Sequence, residues 1–266
     1  MQKKSYELEV AIKAALEAGK ILERHQDTDI ERGLKNDKSM ITLADTESEE
    51  VIKKIILENF PDHSFVGEET DVVRKNGPYT WYVDPVDGSR NFAHKIPFFA
   101  VSISLIHKTE ILLGVVYNPA TRQLFYTEKG KGAYLNDKPI HVSKSDKAKS
   151  IITVSSGRKL PDLKFKRALL YELPDKIIPT VRDIGCTSLD LAHVARGSTE
   201  GDIKLGLKTY DAAAGILLVL EAGGTVTGIN GNDWELKDEG SFIASNGVFH
   251  DILVEEVKEQ KAKLNI

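Results

Sequence analysis

Cysteine is scarce in this chain, since Cys186 is the single one among 266 residues. An internal disulfide is therefore excluded. Such scarcity is typical of proteins that work in a reducing compartment, so we expect a cytoplasmic protein. Long apolar runs are lacking too, because no stretch approaches the roughly 20 residues that a membrane helix needs. The first residues also lack the apolar core of a signal peptide. We therefore expect no membrane partner.

Neither sign of charge dominates, since 36 lysines and arginines face 40 aspartates and glutamates, for a net charge of −4. A slightly acidic chain of this kind argues against nucleic acid as the main partner. The seven histidines are scattered and form no His-Glu-x-x-His pattern. Neither a Gly-x-Ser-x-Gly pattern nor a P-loop occurs, so a covalent intermediate is not expected.

The spacing of apolar residues changes along the chain. Helical spacing at residues 5–25 and 46–59 is followed by short strands to about residue 143. From about residue 150, strands alternate with helices, which is typical of a layered α/β arrangement. We therefore predict an N-terminal α+β half, residues 1–146, and a C-terminal α/β half, residues 147–266.

Two carboxylates stand close together in the segment Trp-Tyr-Val-Asp-Pro-Val-Asp-Gly-Ser-Arg-Asn-Phe, residues 81–92. Its apolar start predicts a buried strand that ends at Asp84, because Pro85 restricts the backbone. Asp87 follows, and Gly88 permits a turn that other residues resist. Two like charges on one tight loop repel each other unless a cation lies between them, and hard divalent cations prefer oxygen ligands. Alone, the same residues are also typical of an ordinary turn.

Acidic residues follow apolar runs in two other segments. Glu68 comes after a short apolar run that ends at Gly67, and Asp211 precedes a predicted helix rich in alanine. Asp211 is a good N-cap for that helix, and a helix N-terminus also attracts phosphate. Taken alone, Asp211 is equally explained as a helix cap.

Together and in this order, the three motifs resemble those of the inositol monophosphatase family: Gly-Glu-Glu, then Asp-Pro-x-Asp-Gly-Ser/Thr-x-Asn-Phe, then Tyr/Trp-Asp-x-Ala-Ala-Gly. Their order and spacing agree along almost the whole chain. The resemblance implies a five-layer αβαβα sandwich of the sugar-phosphatase type. It also implies a magnesium-dependent, lithium-sensitive phosphatase that acts on a small phosphorylated metabolite, often as a homodimer.

The resemblance implies a ligand set for two to three Mg²⁺ ions. Glu68, Asp84 and the backbone carbonyl of Val86 are expected to hold the first ion. Asp84, Asp87 and Asp211 are expected to hold the second, with Glu68 as a ligand of a third. Since the motifs contain no histidine or cysteine, Mg²⁺ or Mn²⁺ is favoured over zinc.

The resemblance also implies how the nucleophile is held. A metal-activated water is expected to attack phosphorus, oriented by Glu68, Asp45 and Ser89. Ser89 stands where relatives carry threonine, and it keeps the hydroxyl. The backbone N–H groups of Gly88 and Ser89 are expected to bind phosphate oxygens.

Substrate recognition is expected from Gly185, Thr187 and Lys204. The first two match a loop that touches substrate hydroxyls in the family. Lys204 departs from the family, because relatives carry an acid at the position seven residues before Asp211. An ammonium group only donates hydrogen bonds and attracts anions. Lys204 therefore either faces an anionic substrate or lies on the surface in a shifted loop.

Several functions fit these residues. The first is hydrolysis of inositol monophosphate or a similar sugar phosphate. A doubly anionic substrate, such as fructose 1,6-bisphosphate or a 3′(2′),5′-bisphosphate nucleotide, is an alternative that Lys204 favours. Histidinol phosphate is a third, since the segment 206–211 resembles such phosphatases. A catalytically inactive binding or regulatory relative belongs to a different class, and loss of a metal ligand would support it.

Overall fold

The computed structural model describes residues 3–26, 33–34, 40–41, 43–146, 150–176, 180–237 and 239–264. Its helices are α1 (Tyr6–Gln26), α2 (Leu43–Asn59), α3 (Ser89–Ala93), α4 (Leu160–Lys176), α5 (Thr187–Ala195), α6 (Thr209–Glu221) and α7 (His250–Leu264). Its strands are β1 (Gly33–Leu34), β2 (Met40–Ile41), β3 (Ser64–Gly67), β4 (Tyr79–Asp87), β5 (Ala100–His107), β6 (Glu110–Asn118), β7 (Gln123–Glu128), β8 (Ala133–Leu135), β9 (Lys138–Ile140), β10 (Ile151–Ser156), β11 (Thr180–Arg182), β12 (Gly201–Lys208), β13 (Thr225–Gly228) and β14 (Glu239–Ser245). None of the helices in this part of the chain is long and apolar enough to cross a membrane.

The first two layers are a helix pair and a seven-stranded sheet. The sheet has the order β3-β4-β5-β6-β7-β8-β9, in which β3 and β4 are parallel and all other neighbours antiparallel. Helices α1 and α2 pack against strands β4 to β6. Val101, Ile103 and Leu105 of β5 reach this core because alternate residues of a strand point to the same face.

Helices α5 and α6 form the central layer, between the seven-stranded sheet and a second sheet. They pack against each other, and α6 also packs against β4 to β7. The contact between α6 and β6 is close, because a Cβ atom on Gly114 would lie 2.8 Å from the Cα of Ala214. Glycine at this position therefore sets the distance between the helix and the sheet.

The last two layers are the second sheet and the outer helices α4 and α7. The sheet has the order β11-β10-β12-β14-β13, with β10 parallel to β11 and β12, and β14 antiparallel to β12 and β13. Apolar residues of β10, β12 and β14 form a core with α4 and α7, among them Val154, Leu205 and Leu253. The five layers together form the αβαβα sandwich that the resemblance implied.

The structure corrects several element boundaries. Strand β4 does not stop at Asp84 but continues through Pro85 to Asp87. Helix α2 begins at Leu43 rather than residue 46, and the N-cap of α6 is Lys208, so Asp211 is the third residue of that helix. Helix α4 was not predicted. The division into halves at residues 146 and 147 stays a prediction, and it falls beside residues 147–149, outside the described residues.

Candidate active site

An irregularity in β4 brings two acids to one face of the sheet. Asp84 pairs with Ser102 of β5, and Asp87 pairs with Ala100, so β4 has one residue more than β5 between these pairs. Side chains alternate along a strand, so residues three apart would normally point to opposite faces. The extra residue of this bulge reverses that alternation. Pro85 is tolerated there because a bulge leaves a position without a ladder hydrogen bond.

Asp84 lies at the centre of a group of carboxylates and is only 2% exposed. Its Oδ1 accepts a hydrogen bond of 2.9 Å from the N–H of Val86. Burial raises the pKa of Asp84 well above its usual value of 3.8, and the negative charges of Glu68, Asp87 and Asp211 raise it further. Without a cation, these charges disfavour one another.

Glu68 and Asp211 complete the carboxylate group from two other elements. Ligand oxygens of Glu68, Asp84 and Asp211 all lie within 4.8 Å of one another. Asp211 Oδ2 accepts a hydrogen bond of 3.0 Å from the N–H of Lys208, which fixes the start of α6. Burial raises the pKa of Asp211 well above its usual value, and the charges of Glu68 and Asp87 add to this effect. Such an all-oxygen set suits Mg²⁺ or Mn²⁺.

Asp87 is held from the N-terminal end of α5. Its Oδ2 accepts hydrogen bonds from Ser188 N at 2.5 Å, from Ser188 Oγ at 2.6 Å and from Cys186 Sγ at 3.3 Å. Three donors on one oxygen fix the orientation of the carboxylate. The single cysteine thus lies in the wall of the candidate site.

Gly88 turns the chain from β4 into the short helix α3. Its φ of 86° lies in the left-handed region, as the sequence predicted. A Cβ atom there would also lie 3.1 Å from the carbonyl oxygen of Phe98 and from Cys186 Cβ. Glycine therefore allows the loop to approach α5, and Ser89 follows directly as the first residue of α3.

The carboxylates open into a cleft of about 590 Å³. Of the predicted site residues, those that line it are Glu68, Asp84, Val86, Asp87, Gly88, Ser89, Thr187 and Asp211. Gly185 lines an adjoining cleft of about 760 Å³, which shares Thr187 with the first. Asp45 is buried in the first turn of α2 and does not line either cleft in the described part of the chain. Its catalytic role stays a prediction.

Basic residues that the sequence analysis missed form another part of the cleft wall. Arg158 lines both clefts, and Lys159 and Lys208 line the first. Lys159 and Lys208 each donate a hydrogen bond to Glu239. The signal in the sequence is the pair Arg158-Lys159 soon after the predicted strand at Ile151, where the end of a sheet strand often lines a site.

Lys204 does not reach either cleft, so the prediction that it binds substrate is wrong. The residue is 0% exposed, so the alternative of a surface lysine is wrong as well. Its Nζ donates to Asp190 Oδ2 at 2.6 Å and to Ser155 Oγ at 2.7 Å, and lies 3.1 Å from Asp202 Oδ1. The reason is topological: β12 lies inside its sheet, between β10 and β14, with α5 packed against it. A side chain from this strand therefore enters the interior.

The charges around Lys204 balance its burial. Burial alone would lower the pKa of Lys204, but the nearby charges of Asp190 and Asp202 outweigh it and raise the pKa above 10.5. Burial raises the pKa of Asp190 to about 7, although the charge of Lys204 opposes this shift. The ammonium is therefore charged at neutral pH and is neutralised inside the protein. We call Lys204, Asp190 and Asp202 the internal ion cluster.

Known proteins share this architecture along the whole chain. The model of the inositol monophosphatase family matches residues 3–262. An inositol-1-monophosphatase of Mesorhizobium japonicum is 37% identical over 259 residues, covering 95% of this chain and 96% of the relative. A fructose-1,6-bisphosphatase/inositol-1-monophosphatase of Aquifex aeolicus is 34% identical over 262 residues, covering 95% of each. The crystal structure of extragenic suppressor protein SuhB from Bartonella henselae superimposes with a TM-score of 0.89 at 33% identity, covering 96% of this chain and 99% of that one.

The sandwich, with acids converging in a cleft between its sheets, defines a phosphatase of the sugar-phosphatase fold. Phosphoric monoester hydrolysis in this fold is metal-dependent, and the carboxylate group supplies a suitable cluster of oxygens. The chain belongs to the inositol monophosphatase family.

Proposed function

We propose that this chain hydrolyses inositol monophosphate or a similar small sugar phosphate, with two to three Mg²⁺ ions held by its carboxylate group. The ligands are Glu68, Asp84, Asp87 and Asp211, together with the backbone carbonyl of Val86. One observation carries the proposal: three of these acids converge within 4.8 Å in an open cleft, where their repulsion calls for a cation. Mn²⁺ has the same ligand preference and is the expected substitute.

When bound, the Mg²⁺ ions neutralise phosphate charge and activate a water molecule. The protein's own groups then position the reactants. The Ser89 hydroxyl and the Glu68 carboxylate orient the attacking water, and the N–H groups of Gly88 and Ser89 bind phosphate oxygens. Asp45 acts as a positioning residue behind them, since it does not line the cleft in the described residues. Thr187 and Gly185 lie where the alcohol part of the substrate is expected.

A phosphate-release screen tests the proposal. Purified, metal-free protein is assayed with and without Mg²⁺ on inositol 1-phosphate, fructose 1,6-bisphosphate, 3′-phosphoadenosine 5′-phosphate and histidinol phosphate. We expect Mg²⁺-dependent release, highest from inositol 1-phosphate. Asp87→Asn should abolish it, whereas Asp251→Asn, an exposed acid on α7, should not. Absence of release from all four substrates with Mg²⁺ and with Mn²⁺ would refute the proposal.

Ser89→Ala tests the role of the hydroxyl. We expect kcat to fall by about 10²–10⁴-fold, the usual effect of losing a group that transfers or orients protons. KM should change little, because the backbone N–H groups remain. A change in KM alone would show instead that Ser89 binds the substrate.

A doubly anionic substrate is the second candidate, and a specific observation favours it. Lys204 no longer supports this candidate, but Arg158, Lys159 and Lys208 form a basic part of the cleft wall. Arg158 continues into the adjoining cleft, where Arg90 and Lys166 also lie. Such a wall suits a second phosphate at the far end of the substrate.

The comparison of Arg158→Met with Arg167→Met separates the two candidates. Arg167 is exposed on α4 and serves as the control. If the second phosphate binds at this wall, Arg158→Met should lower kcat/KM for fructose 1,6-bisphosphate severalfold more than for inositol 1-phosphate. Equal effects on both substrates would exclude a second-phosphate site at Arg158.

Two further expectations from the sequence stay predictions. The homodimer that the resemblance implies is tested by light scattering of the purified chain. The cytoplasmic location, expected from the scarcity of cysteine, is tested by fractionating cells that produce the protein at its natural level.

A further inference from the structure

Helix α2 carries three charged residues on one face, and two of them contact the loop that carries Glu68. Asp45, Glu49 and Lys53 are spaced by four residues, so they lie along one face of the helix. Asp45 and Glu49 are buried, and Lys53 is half-buried. We call residues 68–71, which follow β3, the ligand loop.

Glu49 holds the ligand loop directly after Glu68. Its Oε2 accepts a hydrogen bond of 2.7 Å from the N–H of Glu69, and its Oε1 accepts one of 2.7 Å from the N–H of Thr70. Glu49 is 0% exposed, so this is a fully buried carboxylate. A buried charge is costly unless it is hydrogen-bonded, and here both oxygens bind the same short loop.

The same carboxylate also touches the chain before Glu68. A Cβ atom on Gly67 would collide with the carboxyl group of Glu49, so only glycine fits at this position. Gly67 pairs with Val83 of β4, the residue next to Asp84. Glu49 therefore holds the backbone directly after Glu68 and packs against the backbone directly before it, where β3 is in register with β4.

Lys53 secures the far end of the ligand loop. Its Nζ donates to Thr70 Oγ1 at 3.1 Å and to the carbonyl oxygen of Asp71 at 2.9 Å. It also lies 5.7 Å from the centre of the Phe65 ring on β3. Glu49 thus accepts hydrogen bonds from the first part of the ligand loop, and Lys53 on the same helix face donates hydrogen bonds to its last part.

We propose that Glu49 is a positioning residue of the metal centre, and that Lys53 supports it. Neither residue lines the cleft in the described part of the chain. Glu49 acts by holding the two peptide groups that directly follow Glu68, so that the Glu68 carboxylate meets Asp84 and Asp211 without further rearrangement. The inference rests on the proposed role of Glu68 as a metal ligand.

The test is Mn²⁺ binding, measured by titration calorimetry on metal-free Glu49→Gln. Glutamine keeps the shape but offers one acceptor and turns an amide NH₂ towards the second backbone N–H. We expect Mn²⁺ affinity to fall by about 10–100-fold, the range for groups that orient metal ligands. Glu50→Gln, an exposed neighbour on the same helix, should bind Mn²⁺ like the parent protein. Activity at saturating Mn²⁺ should recover in Glu49→Gln with an unchanged KM for the substrate.

Lys53→Met decides the question if Glu49→Gln fails to fold. Methionine keeps the apolar stem beside Phe65 and removes only the two donated hydrogen bonds. We expect a severalfold loss of Mn²⁺ affinity. Glu68→Gln serves as the reference, because it removes a proposed ligand itself. If Glu68→Gln loses Mn²⁺ affinity while Lys53→Met, or a folded Glu49→Gln, binds Mn²⁺ like the parent protein, the inference is overturned. Parent-like affinity in Glu68→Gln would instead overturn the proposed ligand set.

Discussion

Two groups of acids contact helix α5 and differ in where their cation comes from. The carboxylate group of Glu68, Asp84, Asp87 and Asp211 faces an open cleft. The internal ion cluster contains two acids as well, but Lys204 lies between them and the whole cluster is inaccessible. Helix α5 connects the two, since Ser188 binds Asp87 and Asp190 binds Lys204.

The difference shows that buried acids alone do not define a metal site. The internal ion cluster is neutralised by its own lysine and is closed to solvent. The carboxylate group opens to a cleft, so a cation from solvent can reach it and relieve its repulsion. Variants that perturb one cluster at a time test this difference, and their expected effects range from the largest to the smallest.

Asp84→Asn should have the largest effect on turnover. The change removes the charge at the centre of the carboxylate group. Loss of a residue that only orients a metal ligand costs up to roughly 100-fold in activity, and loss of the ligand's own charge should lower kcat by more than that. Without metal, the variant should be at least as stable as the parent, because repulsion from Glu68, Asp87 and Asp211 is relieved. Phosphate release and urea unfolding in EDTA measure both effects. A marked loss of metal-free stability would contradict the proposed repulsion.

Lys204→Met should have the largest effect on stability. It leaves two buried carboxylates without their cation, which typically costs about 3–5 kcal/mol. The free energy of unfolding is measured in urea with Lys164→Met, an exposed lysine on α4, as control. Adding Asp190→Leu and Asp202→Leu should recover most of the loss. A loss below about 1 kcal/mol would mean that the cluster is not needed for stability.

The pH dependence of stability should distinguish the clusters. Burial raises the pKa of Asp190 from 3.8 to about 7. Between these values the folded protein keeps a proton on Asp190 that the unfolded chain releases, so the contribution of Asp190 to the free energy of unfolding should fall as pH rises through this window. Burial lowers the pKa of His193 to about 4, so the contribution of His193 rises over part of the same window. Each such proton contributes about 1.4 kcal/mol per pH unit.

The raised pKa values of Asp84 and Asp211 act in the same direction in metal-free protein. Mg²⁺ should remove the contribution of Asp84 and Asp211 to the pH dependence of the free energy of unfolding. The contribution of Asp190 should remain. Urea unfolding at pH 5 and pH 7, with EDTA or with Mg²⁺, provides the measurement. A metal-free pH slope that Mg²⁺ leaves unchanged would contradict the assignment of raised pKa values to Asp84 and Asp211.

Ser188→Ala should have the smallest effect. It removes one of the two hydrogen bonds from Ser188 to Asp87 Oδ2, and the backbone N–H remains. We expect a loss of about 1 kcal/mol in Mg²⁺ binding, typical of one hydrogen bond, or roughly fivefold in affinity. Ser198→Ala, an exposed serine beyond the same helix, is the control. An unchanged Mg²⁺ affinity would show that the N–H of Ser188 alone positions Asp87.

The acids of the site were predictable because each one lies near the end or the start of a short element with a clear pattern. Asp84 lies near the end of a buried strand, and Asp211 lies in the first turn of an apolar helix. The bulge at Pro85 was not predictable, because the sequence pattern of a bulge and of a strand end is the same. The partners of Lys204 were not predictable either, since Asp190 comes from α5 and meets β12 only when the layers assemble. Helix α4 was missed because it contains Pro174 in its interior, which disfavours a helix.

The close approach of α6 to Gly114 has a consequence for folding kinetics. Asp211 reaches Asp84 only after α6 has docked on the seven-stranded sheet, and the two acids are distant in sequence. Contacts of such long sequence separation form late, because loop closure precedes them. The metal centre should therefore be absent from the transition state, so that Mg²⁺ slows unfolding and leaves the folding rate almost unchanged. The chain therefore binds the metal only after it has reached its native topology.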